Sequence, residues 1–190
     1  MARPRRFDED RAVDAAMRAF WTAGYEATST QDLCAATGLG RSSIYNTFRS
    51  KRDLFTRALR RYAEAKDAAM MEVLDGDLPV REKVRALMRH VVESDPDDPA
   101  GCLVVNATVE LGQRDPETAA WLRRNYERRF AALRAVLDQG RRTGEIDPDK
   151  DPDDLAHFVI AVLGGMRVAQ RGGADRGALE AIARTALDAL

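Results

Sequence analysis

The chain of 190 residues is 45% hydrophobic and 32% charged, a composition typical of a globular protein with a buried core rather than of a fibrous or membrane-spanning one. Its net charge of −1 is unevenly distributed, because residues 1–60 carry 11 Lys and Arg against 7 Asp and Glu, a net +4, and the remainder carries −5. A basic N-terminal third suggests an anionic partner at that end, with chance asymmetry as the alternative.

The cysteines and the apolar segments exclude several other classes of protein. Two cysteines, Cys34 and Cys102, are too few for a disulfide framework or a metal cluster, and they fit a reduced compartment. No apolar segment of a signal peptide follows the first basic residues, and the longest apolar run, 155–169, is too short to span a bilayer. We therefore expect a cytoplasmic protein with no membrane partner, no metal and no cofactor.

Helical periodicity runs through almost the whole N-terminal part, and no segment alternates between apolar and polar residues as a strand would. The first helix is predicted at 9–23, and Gly24 ends it. Ser29 is predicted to cap the second helix, with Asp32 at the reciprocal position of a capping box. A third helix is predicted at 41–48, and Ser50 opens a fourth that runs without a breaker to about residue 74.

Five more helices are predicted after residue 75. The fifth begins near Pro79 and the sixth covers 102–111, while Asp115 and Asp151, each followed by proline, open the seventh and eighth. The ninth covers 176–190. The eighth is apolar on nearly every side from 155 to 169, so burial on two faces is expected. The seventh has an apolar stripe of Leu122, Tyr126, Phe130, Leu133 and Leu137.

Residues 30–48 have the spacing of a helix-turn-helix, in which two short helices meet at a tight turn, 37–40. Gly38 can adopt the left-handed backbone that the turn needs. The exposed start of the second of these helices is the part that enters a major groove, where Arg and Ser can contact base edges. A plain three-helix packing unit with a solvated polar face is the alternative. The predicted DNA-contacting residues are Thr28, Ser29, Arg41, Ser42, Ser43, Tyr45, Asn46, Thr47 and Lys51.

The stretch AFWTAGYEATSTQDLCAATGLGRSSIYNTFRSKRDLF, residues 19–55, resembles the N-terminal domain of tetracycline-repressor-like (TetR) transcriptional regulators. Cys34 departs from the alanine usual in that family, and Gly40 departs from its serine or threonine cap. Neither change argues against DNA binding, since one is small for small and the other weakens a helix cap by a few tenths of a kcal/mol. The matching residues are Phe20, Gly24, Tyr25, Thr28, Ser29, Leu33, Gly38, Tyr45, Phe48, Lys51 and Leu54.

The resemblance implies an all-α protein of about nine helices, with a DNA-binding domain at 1–55 and a ligand-binding and dimerisation domain at 56–190. It implies a repressor that binds a palindromic double-stranded operator as a homodimer and is released by a small-molecule inducer through a movement of the fourth helix. The eighth and ninth helices would pair between subunits as a four-helix bundle. The interface residues expected there are Leu155, Val159, Val162, Met166, Leu179, Ile182 and Leu187.

In that family, the fourth to eighth helices enclose a pocket for the inducer. Residues suited to such a pocket are concentrated in the C-terminal part. Met and aromatic side chains adapt to apolar ligands, although each is also compatible with plain core. Asn106 shares a face of its helix with Cys102 and would need a hydrogen-bond partner if buried. The candidates are Met70, Met88, Cys102, Asn106, Trp121, Tyr126, Phe130, Phe158 and Met166.

Other features leave alternatives open. Cys102 at a helix start could be a reactive thiolate sensor, but a buried, unreactive cysteine is the preferred interpretation, since nearby aspartates oppose ionisation. Arg3, Arg5 and Arg6 could form an arm in a minor groove, with a solvated tail as the alternative. No acid–base pair, phosphate loop or nucleophile set supports an enzyme, so none is predicted. A DNA-binding module without a ligand remains the competing hypothesis.

Overall fold

The computed structural model of the protein describes residues 9–95 and 98–190, and the arginines of the proposed N-terminal arm lie outside that part. The predicted all-α class is confirmed, and the described residues contain no strand. No helix in these ranges is both long and apolar enough to cross a membrane. The helices are α1 Glu9–Ala23, α2 Thr30–Thr37, α3 Arg41–Phe48, α4 Lys51–Asp75, α5 Val80–Val92, α6 Leu103–Leu111, α7 Pro116–Thr143, α8 Pro152–Arg171 and α9 Arg176–Asp188.

The helix starts follow the local capping chemistry predicted from the sequence. Ser29 accepts from the backbone N–H of Asp32, whose carboxylate accepts from Ser29 in return, so the capping box is confirmed. Asp115 and Asp151 cap α7 and α8 with proline in the first turn. Two boundaries differ by one residue, since Pro79 and Cys102 lie at the N-cap positions of α5 and α6 rather than inside these helices.

One apolar cluster holds α1, α2 and α3 together, and we call these three helices the head. Phe20, Leu33 and Phe48 are fully buried there, and Phe55 of α4 packs edge-on against Phe20 with ring centroids 5.1 Å apart. The cluster continues along α4 to Tyr62 and takes in the inner face of α6. The core of the head therefore extends beyond residue 55. The boundary of a DNA-binding domain at residue 55 stays a prediction.

A second apolar cluster occupies the body, which we define as α5 to α9. Met88 of α5, Leu133 and Leu137 of α7, and Val159 and Met166 of α8 are fully buried at its centre. The C-terminal part of α4 covers this cluster through Met70 and Leu74. A single unbroken helix thus contributes its first half to the core of the head and its second half to the core of the body.

The prediction for the α8–α9 interface is corrected by this packing. The inward stripe of α8 lies against α5, α7 and α9 of its own chain, so its apolar residues complete the core of one protomer. Val162 is half-buried and Ile182 is exposed, so both stay available. The residues that belong to the core instead are Leu155, Val159, Met166, Leu179 and Leu187.

Polar contacts join the head to the body at the C-terminal end of α1. The backbone N–H of Tyr25 donates to Glu110 Oε2 at 2.8 Å, and Arg171 donates to the carbonyls of Trp21 and Thr22 at 3.2 and 3.1 Å. The hydrogen bond between Tyr25 and Glu110 depends on Gly24, which has φ +89°, because an added Cβ would lie 2.3 Å from a carboxylate oxygen of Glu110.

Substitution of Gly24 by alanine should destabilise the protein more than the same change at Gly38. Both glycines have positive φ, so each change costs about 1–2 kcal/mol of backbone strain. At Gly24 the new methyl group also displaces Glu110 from the Tyr25 N–H, a further loss of about 1 kcal/mol or more. Urea unfolding at one fixed protein concentration measures the difference, and equal free energies for the two variants would contradict the contact.

Candidate functional site

The turn between α2 and α3 has the geometry of a helix-turn-helix. Gly38 adopts φ 69° and donates its backbone N–H to the carbonyl of Cys34 at 3.0 Å, which ends α2 in a left-handed cap. Leu33 and Ile44 are buried beneath the turn, so α3 is held by its inward side. The opposite side of α3 is left to solvent.

The exposed side of α3 consists of polar side chains, as predicted. Arg41, Ser42 and Ser43 in its first turn and Asn46 in the next are all exposed. The guanidinium carbon of Arg41 lies 5.8 Å from the ring centroid of Tyr45, a cation–π arrangement that orients it along the helix. Arginine and short hydroxyl side chains at a helix start have the reach and the donors needed for base edges in a major groove.

The neighbours of this surface are more constrained than the sequence indicated. Tyr45 is half-buried and its hydroxyl lies 3.0 Å from Thr30 Oγ1, so it also fastens α3 to α2. Thr47 is half-buried as well. Lys51 opens α4, and its ammonium donates to the carbonyl of Glu26 at 3.3 Å and lies 4.5 Å from the centroid of the Tyr25 ring.

Two predicted DNA-contacting side chains have structural roles. Thr28 is 1% exposed, and its hydroxyl donates to the carbonyl of Gly24 at 2.6 Å. Ser29 is exposed, but its hydroxyl is occupied by the capping box with Asp32. In this structure both hydroxyl hydrogens are therefore used within the head, and a contact of Thr28 or Ser29 with DNA stays a prediction.

A cavity of about 430 Å³ lies among α4, α5, α6, α7 and α8, where the resemblance implied a pocket. Met70 and Cys102 line it, and Tyr126 lies at its α7 side. Its walls are mainly apolar, with Val73, Leu87 and Leu163 among the residues exposed to the cavity. The volume falls in the range of small-molecule sites.

The other predicted pocket residues lie elsewhere. Met88 and Met166 are fully buried in the core of the body, and Trp121 packs against the cluster of the head. Asn106 points to α1, where its Nδ2 donates to the carbonyl of Trp21 at 3.4 Å. Phe130 packs against the core of the body and stacks on His157 with centroids 4.4 Å apart, and Phe158 is exposed.

Sequence reasoning missed most of the polar lining. Lys66 and Asp67 lie one turn before Met70 on α4, so the helical spacing from Met70 could have indicated them. The remaining missed polar residues come from five separate helices and share no pattern in the sequence. They are Tyr62, His90, Thr108, Arg123, Asn125, Arg129 and Arg167.

Asn125 and Asp67 form a polar pair in the wall between α4 and α7. Asn125 is 2% exposed, and its Nδ2 donates to Asp67 Oδ2 at 2.6 Å. The guanidinium groups of Arg128 and Arg129 lie 3.6 and 3.9 Å from the same carboxylate. The charge of Asp67 is therefore compensated by α7.

Burial and neighbouring groups shift the pKa values of two residues that line the cavity, Tyr62 of α4 and His90 of α5. Burial raises the pKa of the Tyr62 hydroxyl, and its neighbour Cys102 raises that pKa further. Partial burial, followed by the positive charges of Lys66 and Arg167, lowers the pKa of His90. His90 is therefore neutral at pH 7. Cys102 is half-buried at the N-cap of α6.

Comparison with known proteins decides the family. The model of the tetR family of bacterial regulatory proteins matches residues 12–58, and the model of tetracyclin repressor-like C-terminal domains matches residues 80–186. The chain belongs to the TetR family of transcriptional regulators. The HTH-type transcriptional repressor ComR of Escherichia coli K12 is 34% identical over 190 residues that cover 97% of this chain and 90% of ComR.

Other relatives and solved structures agree with this assignment. The transcriptional regulator YezE of Bacillus subtilis is 34% identical over 165 residues, or 84% of each chain. A cysteine mutant of the TetR regulator CifR, solved with a 26-base-pair operator duplex, superimposes with a TM-score of 0.86 at 34% identity and covers 99% of both chains. The protein is therefore a DNA-binding transcriptional regulator of the TetR family.

Replacement of Asn125 by leucine should lower the free energy of unfolding by about 1–3 kcal/mol, because the half-buried carboxylate of Asp67 loses its closest donor. Urea unfolding of the single variants and of the double variant with Asp67→Ala gives the coupling energy between the two residues. A coupling near zero would show that the pair does not hold α4 to α7.

Proposed function

We propose that this TetR protein is a repressor that binds a palindromic operator as a homodimer and dissociates when a small molecule occupies the cavity. The continuity of α4 carries this proposal. Its first turn, with Lys51, adjoins the recognition helix α3, and its fourth and later turns, from Tyr62 to Val73, form a wall of the cavity. A ligand that displaces the wall displaces the support of α3.

In this proposal α3 lies in the major groove. Arg41, Ser42 and Ser43 contact base edges, while Tyr45, Asn46 and Thr47 contact the flanking phosphates. The N-terminus of α4 adds unpaired backbone N–H groups and the charge of Lys51 to grip one phosphate. Residues 1–55 then act as the DNA-binding domain and 56–190 as the ligand-binding and dimerisation domain.

An exposed apolar strip on α8 and α9 supports dimerisation. Phe158, Ala161, Gly165 and Val168 lie on one face of α8 at spacings of three and four residues, and all four are exposed. Ala178 and Ile182 continue this surface on α9. We call these six residues the α8–α9 surface. Small residues beside larger apolar ones allow two helices from each protomer to approach closely as a bundle.

The repressor role rests on the relatives rather than on the geometry of this chain. ComR and DhaR are named transcriptional repressors, and both are similar to this protein over more than three quarters of its length. Operator binding places the protein in the cytoplasm. A DNA-binding module without a ligand would have no use for a cavity of about 430 Å³ against α4, so this observation favours a ligand-responsive protein.

Selection of binding sites from random duplexes tests the proposal directly, since a dimer should select a palindrome with half-sites about one helical turn apart. On the selected site, release by a compound that also raises the melting temperature of the free protein would support the inducer model. An asymmetric single site would contradict dimeric binding.

Substitution of Arg41 and Lys51 by alanine should weaken DNA binding in different ways. Loss of Arg41 should relax sequence preference and cost about 1–3 kcal/mol at one base pair. Loss of Lys51 should weaken all sequences alike and reduce the salt slope by about one. Fluorescence anisotropy across a salt series measures both, with Arg124→Ala on the exposed side of α7 as the control. Parent-like binding by both variants would refute the proposed contacts.

A charge on the α8–α9 surface should dissociate the dimer. Val168 is 56% exposed in one protomer, and Val168→Glu would bury an unpaired carboxylate between two protomers. Sedimentation velocity at micromolar concentration should show a dimeric parent and a monomeric variant. Val109→Glu, at an 81% exposed valine of α6, is the matched control and should stay dimeric. A parent that sediments as a monomer would contradict the proposal.

A further inference from the structure

The cavity carries an excess of positive charge on its lining. Lys66, Arg123, Arg129 and Arg167 line it, whereas Asp67 is the acidic residue of the lining within the described ranges. Asp67 is already held by Asn125 and lies near Arg129 and its neighbour. The carboxylate of Asp67 is therefore compensated by the arginines of α7, and within the described ranges no acidic residue lines the opposite side, around Lys66, α5 and α8.

Lys66 and Arg167 are the cations of that opposite side. The ammonium of Lys66 lies 5.7 and 5.6 Å from the ring centroids of Trp21 and Tyr62. Arg167 donates to the neutral oxygens of Ser94 at 2.6 Å and of Gln170 at 3.3 Å. Within residues 9–95 and 98–190, neither cation has a carboxylate within ion-pair distance.

The neighbours of these cations are also suited to an anion. Both Lys66 and Arg167 act on His90, whose pKa they lower, so the three basic groups share one region of the cavity. The hydroxyl of Tyr62 and the sulfur of Cys102 line the same part of the cavity. Cationic side chains gathered in a partly apolar cavity repel one another, and a bound anion relieves this repulsion.

The rest of the cavity is apolar. Met70 and Val73 of α4, Leu87 and Val91 of α5 and Leu163 of α8 line it with hydrocarbon. Such walls stabilise a ligand by removing apolar surface from water, at roughly 25 cal/mol per Å². A ligand that satisfies both regions has one negative group and a compact apolar part.

We propose that the ligand of this cavity is a small organic anion, a carboxylate that lies between Lys66 and Arg167 and whose apolar part packs against Met70, Leu87 and Leu163. This inference rests on the proposed ligand response and specifies the chemical class of the ligand. The carboxylate would form charge-assisted hydrogen bonds with both cations, which are roughly twice as strong as neutral ones. Neutral analogues of the same shape lack this contribution.

The test compares small apolar carboxylates with their primary amides, among them octanoate, phenylacetate and salicylate. Thermal shift and titration calorimetry on the full chain should show binding of at least one carboxylate and at least about tenfold weaker binding of its amide. Inorganic phosphate, which lacks the apolar part, should give no shift at the same concentration. Equal binding of the amide or of phosphate, or no binding by any carboxylate of the library, would overturn the proposal.

Variants locate the anion. Lys66→Met and Arg167→Met remove the charge and keep an unbranched apolar stem, and each should weaken carboxylate binding at least about tenfold while leaving the amide unaffected. Arg124→Met removes the same charge from an exposed position outside the cavity and should bind like the parent. Circular dichroism confirms folding of each variant, and parent-like carboxylate affinity in both cavity variants would overturn the assignment.

A spectroscopic readout is independent of melting behaviour. The chain has two tryptophans, so Trp121→Phe leaves Trp21, which contacts both Lys66 and Tyr62, as the single indole emitter. Carboxylates should change its emission and amides should not. Operator binding is followed separately. Carboxylate binding without release of DNA would contradict the proposed function but not this inference. Release of DNA only by neutral ligands would contradict this inference but not the proposed function.

Discussion

The contact between Tyr62 and Trp21 is the constraint on which the rest of the structure depends. Trp21 closes the C-terminal end of α1, and Tyr62 of α4 packs edge-on against it with centroids 4.8 Å apart. Tyr62 is at the same time a wall of the cavity. Because interiors are close-packed and transmit strain, a ligand that moves Tyr62 acts on the packing of α1 in the same step. Head and cavity therefore share a single layer of side chains.

Charge is distributed in a way that reinforces this layer. Near the head, arginines of α4 are matched with carboxylates: Arg52 contacts Asp115 at 2.7 Å, and Arg57 and Arg61 pair with acidic residues of α1. These exposed pairs contribute little individually, about 0–1 kcal/mol each, but they fix the direction of α4 relative to α1 and α7. Further along the same helix, Lys66 has aromatic rings in place of a carboxylate.

The sequence was sufficient for features set by local chemistry and insufficient for those set by packing. Ser29, Ser50 and Asp115 determine helix starts through bonds to residues three positions away, so the boundaries were predicted within a residue. The exposed start of α3 follows from the same kind of spacing. On α8, however, neighbouring residues have opposite roles: Val159 is core and Phe158 is surface. An all-apolar helix does not reveal which face meets its own chain, since that depends on where α5, α7 and α9 lie.

The same reasoning explains why the predicted pocket was too apolar. Met and aromatic residues were chosen because they suit ligands, but Met88 and Met166 suit the core equally well and lie there. Charged residues are almost never buried without a partner, so their presence at a cavity is the more informative signal. Lys66 connects this signal to the head. An anion that binds its ammonium competes with the faces of Trp21 and Tyr62, whose attraction for a cation is about 0.5–2 kcal/mol. The chemistry of the ligand and the position of α1 are then coupled through one side chain.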